Sequence, residues 1–148
     1  MEAAQLPPAL LARATGYRLR GRIHFPKDAI GEIYRGDDDD FVAFRKMVLG
    51  PGAGQPENPG AIFTVRFHFA RFSPNVNRRL SLLPAPFIAA QPGFRSKTWM
   101  LGRDTHMFQG VYEWDAVGDA EAYWESFPLR MMKRRAVPGS VVHTIVPT

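Results

Sequence analysis

Arg66 and His68 stand two positions apart in the run Phe63-Thr64-Val65-Arg66-Phe67-His68-Phe69. These two side chains are suited to acid–base work on an organic molecule. An imidazole titrates near neutrality and can take a phenolic proton. A guanidinium beside it can hold the anion that forms. A spacing of two puts both on one face if the segment is a strand. The plainer reading makes His68 a satisfied structural residue and Arg66 a surface charge. A second group, Trp99, Tyr112, Tyr123 and Trp124 with Asn77, has the composition of an apolar pocket with a few polar tips. Trp114 and Phe127 read as core packing. Trp99 and Tyr112 read as pocket wall, because their polar atoms need partners or a wet cavity.

Other chemistries find little footing. The chain has no cysteine, which removes disulfides, thiolate metal sites and cysteine catalysis. His68, His106 and His143 follow no zinc-ligand spacing, and no metal is expected. Asp37-Asp38-Asp39-Asp40 could offer oxygen ligands to a cation, but neighbouring side chains on an extended chain point apart, and the run reads as a solvated loop. There is no nucleophile elbow, P-loop or dinucleotide fingerprint, which argues against a hydrolase, a kinase or a nicotinamide enzyme. The net charge of +5 and pI of about 10 raise nucleic acid as a partner. The excess is dispersed over Arg13 to Arg22, Arg66 to Arg79 and Lys133 to Arg135, so it reads as solvated surface and no nucleic acid is expected. No apolar run approaches the ~20 residues of a membrane span. The start, Met1 to Ala14, lacks a basic leader region, so the expected location is cytoplasmic.

The candidate residues need elements to hold them. Phe108 to Trp114 alternates, with Phe108, Gly110, Tyr112 and Trp114 on one side and Gln109, Val111 and Glu113 on the other. Asp115 is the expected N-cap of a helix carrying Ala120, Tyr123, Trp124 and Phe127. Ala61 to Phe69 alternates as well, with Phe63, Val65, Phe67 and Phe69 opposite Arg66 and His68. Ser73 caps and Pro74 opens a helix that turns Val76, Leu80 and Leu83 inward. Pro84 and Pro86 interrupt it. Phe94 to Leu101 and Val141 to Val146 complete the strands, and Lys133 to Arg135 favour the negative end of the second helix.

Upstream, the spacing predicts a helix over 9–14 and a strand from Tyr17 to Phe25 with Arg18, Arg20, Arg22 and His24 outward. A short return strand over Ile30 to Tyr34 and another strand over Phe41 to Leu49 follow. Gly50 to Gly60 is rich in proline and glycine and separates an extension, residues 1–60, from a main domain, residues 61–148. The extension is too poor in apolar residues to stand alone and is expected to pack on the rest.

Strand, helix, strand, strand, helix, strand is a split βαβ order. It predicts an α+β, ferredoxin-like antiparallel sheet with two helices on one face. The bare face needs a cover, either the sheet of a second subunit or the extension itself. If the phenylalanine row packs under the helices, His68 points to the bare face; if the helices cover the His68 side, it enters the pocket.

Pro92-Gly93-Phe94, Lys97 and Trp99, then Phe108-Gln109-Gly110-Val111-Tyr112-Glu113-Trp114, then Ala120-Glu121-Ala122-Tyr123 before Ser126 resemble the dimeric α+β barrel superfamily, in particular its small monooxygenase-like members. The likeness covers about Ala61 to Val146. It implies sheet-to-sheet homodimers, a pocket between sheet and helices, and a small apolar or aromatic ligand. Some members oxidise polycyclic aromatics without metal or flavin, so no cofactor is expected. Others cleave haem with an Asn, Trp and His. Asn75 or Asn77 with Trp99 could stand for two of these, but the second helix has no histidine. The resemblance therefore implies either a cofactor-independent, monooxygenase-like enzyme for aromatic or polyketide-like molecules, with His68 and Arg66 acting, or a non-catalytic binder of small ligands.

Overall fold

The computed structural model describes residues 21–50 and 57–148. The expected helix over 9–14, the start of the strand expected from Tyr17, and residues 51–56 of the proline- and glycine-rich stretch lie outside the described residues. The strands are β1 (Ile23–His24), β2 (Ile33–Arg35), β3 (Asp40–Leu49), β4 (Ala61–Phe67), β5 (Phe94–Gly102), β6 (Phe108–Trp114) and β7 (Val142–Pro147). The α-helices are α1 (Pro74–Leu80), α2 (Ala85–Ala89), α3 (Val117–Trp124) and α4 (Phe127–Arg135).

All the strands join one antiparallel sheet in the order β1-β3-β5-β6-β4-β7, with β2 also pairing to β3. The order β5-β6-β4-β7 is that of a ferredoxin-like α+β domain, with the helical segments on one face. Strands β1, β2 and β3 continue the sheet beyond β5. Residues on both sides of position 60 therefore share one hydrogen-bonded surface.

The helix-covered face holds the core. Ala61, Phe63, Val65 and Phe67 are buried, while Ile62, Thr64 and Arg66 are only half-buried. Phe63 lies at its centre, with ring centroids 5.3 Å from Tyr112, 5.6 Å from Tyr123 and 6.1 Å from Trp124. Burying a side chain of this size contributes roughly 1.5–3 kcal/mol. The large aromatics Trp99, Tyr112 and Trp114 all lie on this face in the same core. The bare face carries a smaller cluster of Phe41, Ala43 and Met100, lidded by the Arg66 guanidinium 4.5 Å above the Phe41 ring.

The helical segments depart from the simplest reading of the sequence. Ser73 does cap α1, its Oγ accepting from the Val76 amide. Val76 and Leu83 are exposed, however, and Asn77 and Ser81 are the buried positions. Asn77 Nδ2 donates to the Arg71 carbonyl, and Asn77 Oδ1 accepts from Arg135, so this polar side chain ties the turn before α1 to the end of α4. The second helix is broken in two at Glu125 and Ser126, because Pro128 starts a new first turn. The N-cap of α3 is Ala116. Asp115, expected there, instead accepts from Arg95 at 3.0 Å.

Two turns explain their sequence. Gly93 has φ +80°, and a Cβ there would come within 2.2 Å of the Asp119 carboxylate. Only glycine meets both conditions at the entrance to β5. The aspartate run is not uniformly solvated: Asp39 is buried and clamps the β5–β6 hairpin. Its carboxylate accepts from the Asp40, Asp104 and Thr105 amides and from the Thr105 hydroxyl. The Thr105 hydroxyl and then its amide pull the Asp39 pKa down to about 2.

Candidate functional site

Two β-bulges decide which side chains reach the helices. The β5–β6 register slips between Phe94 and Ser96, and the β3–β5 register slips between Ala43 and Arg45. A bulge reverses the facing of every residue beyond it. Phe94 therefore packs in the core, Ser96 reaches Glu113 on the bare face, and Lys97, Trp99 and Leu101 return to the helical side. In β3, Ala43 stays on the bare face while Arg45 turns towards Trp99, its guanidinium 5.0 Å from that ring.

Between this part of the sheet and α1, α2 and α4 lies a cavity of about 500 Å³. The sheet supplies Phe67, Lys97, Trp99, Phe108 and Tyr112, and the helices supply Phe87, Ile88, Tyr123, Phe127 and Met131. The wall is overwhelmingly apolar. Among the described residues, the charged ones on the wall are Lys97 and Arg135, with no carboxylate. Arg135 is engaged, donating to Asn77 and lying 4.6 Å from the Phe69 ring.

Lys97 is 9% exposed. Its Nζ lies 4.5 Å from the Trp99 ring and 4.7 Å from the Tyr112 ring. Gly110 makes room for it, since a Cβ there would press on Tyr112 and come within 3.2 Å of Lys97 Cε. Burial, and then the charge of Arg45, lower the Lys97 pKa to about 7. The Trp99 indole N–H is buried without an acceptor among the described residues. The Tyr112 and Tyr123 hydroxyls bond each other at 2.8 Å. Burial pushes both phenols upward, so neither ionises near neutrality.

Of the residues the sequence singled out, Trp99, Tyr112 and Tyr123 meet at this cavity. Asn77 is consumed by the structural bonds described above. Trp124 lies away from the wall, sandwiched between His143 at 3.6 Å and the Lys133 ammonium at 3.6 Å. Burial, then the Lys133 charge, lower the His143 pKa. The phenylalanine row faces the helices, which puts Arg66 on the other side of the sheet, donating to Gln109 Oε1. His68 follows β4 beyond its last paired residue and is held by its backbone: its amide donates to Ser140 Oγ and its carbonyl accepts from Val137. Neither Arg66 nor His68 touches the cavity wall.

The sequence matches no protein-family model and no curated protein. Among solved structures, the chain is similar to an uncharacterised ferredoxin-fold protein related to antibiotic biosynthesis monooxygenases from Listeria monocytogenes. The TM-score is 0.54 at 12% identity, over 79% of this chain and 69% of that one. It is also similar to a haem-degrading enzyme from Listeria monocytogenes, with a TM-score of 0.55 at 9% identity over 83% of this chain and 95% of that one. An anthrone oxidase-like protein aligns with a TM-score of 0.47 at 19% identity over 74% of this chain and 55% of that one. At these identities the likeness to the first two shows the ferredoxin-like fold alone. No helix of the described residues is long and apolar enough to cross a membrane.

Proposed function

We propose that this chain is a small-molecule enzyme resembling cofactor-independent monooxygenases, acting on a flat aromatic or polyketide-like molecule held between the sheet and the helices. The observation that carries the reading is the cavity: about 500 Å³, walled by aromatic rings, with a few inward polar groups. Such a wall excludes water from an electron-rich anion and holds it flat for reaction with dioxygen. The fold neighbours support this at the level of architecture only. Haem suits the cavity poorly, because among the described residues no histidine lines it to offer an imidazole to the iron.

A homodimer joined through the bare face belongs to the same proposal. Val142 and Val146 on β7 are 59% and 54% exposed on that side, paired with Arg66 and Ile62 of β4. Light scattering behind size exclusion is expected to give twice the chain mass at micromolar concentration, and a monomer would refute it.

The test of activity uses 1,8-dihydroxyanthrone as an oxidisable flat probe. One dioxygen converts its ring methylene to a carbonyl and releases one water. Dioxygen uptake above autoxidation, with the quinone detected by mass spectrometry, is the expected result. Binding of the probe without uptake would refute the enzyme reading and leave a binder of small aromatic ligands.

A further inference from the structure

Among the described residues, the cavity has cationic groups and no anion to answer them. Among the described residues, Lys97 Nζ has no hydrogen-bond acceptor or carboxylate partner. It is held only by the faces of Trp99 and Tyr112, at 4.5 Å and 4.7 Å. The Trp99 N–H is buried without an acceptor among the described residues. The neighbouring cation, Arg45, already bonds to Ser81 Oγ and to the Arg78 carbonyl, and Arg135 is fixed on Asn77. A buried ammonium without an acceptor is costly, as is a buried indole N–H without one. The ammonium's cost vanishes if the occupant brings an anionic oxygen.

We propose that the cavity's occupant is an aromatic acid, bound as its anion, whose carboxylate accepts hydrogen bonds from Lys97 Nζ while its rings lie among Phe67, Phe108 and Phe127. This rests on the cavity being a ligand site, as proposed above, and adds the ligand's charge. An ammonium–carboxylate pair against apolar walls is favourable when both partners are hydrogen-bonded. Lys97, largely neutral above pH 7 in the empty cavity, then takes up a proton as the anion enters. The other groups around it do not titrate near neutrality: Arg45 from β3 and Arg135 from α4 stay charged, and Tyr112 from β6 and Tyr123 from α3 stay protonated.

The experiment compares 2-naphthoate with 2-acetylnaphthalene, which keeps the ring and replaces the carboxylate by a neutral ketone of similar shape. Calorimetric titration of the wild-type chain is expected to show naphthoate binding at least about tenfold tighter than the ketone. At pH 8, titrations in phosphate and in Tris should reveal uptake of close to one proton per naphthoate and none for the ketone. Lys97→Met should bind the ketone as the wild type does and lose the preference for the acid. Equal affinity of the wild type for both probes would overturn the inference while leaving the cavity reading in place. A preference that survives in Lys97→Met would do the same. Failure of both probes to bind would overturn both. Should Lys97→Met not fold, Lys97→Gln takes its place, and a preference for the acid that survives in that variant overturns the proposal.

Discussion

Removing one hydroxyl from the Tyr112–Tyr123 pair should cost more than removing both. The two rings are 1% and 2% exposed, and their hydroxyls meet at 2.8 Å. Tyr112→Phe keeps the ring and its packing but strands the Tyr123 hydroxyl in an apolar setting, and Tyr123→Phe does the reverse. A buried polar group left without its partner costs about 1–3 kcal/mol, whereas removing both partners is nearly neutral. Each single variant should therefore lose about 2 kcal/mol, or roughly 4–8 °C in midpoint for a chain of this size. The double variant should lose about 1 kcal/mol, far short of the ~4 kcal/mol that independent sites would give. Urea unfolding of the wild type and the three variants yields the coupling energy directly. A coupling near zero would refute the reasoning, because it would mean that each hydroxyl is served by water in the adjoining cavity.

Three further outcomes follow from local geometry. Gly93→Ala should cost at least ~1 kcal/mol, from the left-handed backbone alone, and more from the contact with Asp119; an unchanged urea midpoint would contradict this. Asp39 is stabilised as a carboxylate, so its contribution is complete above the ordinary carboxylate value of 3.8 and is lost as pH falls through about 2. Asp39→Asn should be less stable than the wild type at pH 6, with the difference shrinking in acid-unfolding curves below pH 3. His143 should titrate below the ordinary 6.5 by NMR, and Lys133→Met should move it upward by removing the neighbouring charge; no movement would place the cause in burial alone.

The strands that alternate without interruption were legible in the sequence. Ala61 to Phe67 and Phe108 to Trp114 carry their large apolar residues in strict phase, and the helices cover that phase. The split βαβ order followed from the spacing of the turns. The bare face was harder to read. The sequence places Trp, Tyr, Phe and Met along the strands, but Trp99, Tyr112 and Trp114 all went to the helical side. That leaves Phe41 and Met100 opposite. Helix boundaries failed where tertiary contacts outbid local caps: Asp115 took Arg95 over the α3 amides, and Asn77 displaced Val76 from the inner face of α1 because it had three polar partners to serve.

Lys97 escaped the sequence for a physical reason that also explains the site. Plain alternation from the buried Phe94 puts Ser96, Thr98 and Met100 inward and turns Lys97 and Trp99 outward, which is where a lysine is ordinarily found. The extra residue at Arg95 inverts that pattern. The signal lay in Trp99: an indole and a lysine two apart must share a face, so a pocket tryptophan brings Lys97 with it. His68 obeys the same rule in the other direction, since an unbroken β4 that buries Phe67 cannot also bury its neighbour on the same side. The bulge in β3 repeats the inversion one strand away and delivers Arg45 to the same tryptophan. The slip in β5 puts Lys97 on the cavity wall where an unbroken strand would have put Ser96, and the slip in β3 puts Arg45 beside Trp99 where an unbroken strand would have put Phe44. A continuous core needs neither slip; the one in β5 brings an ammonium to the cavity wall.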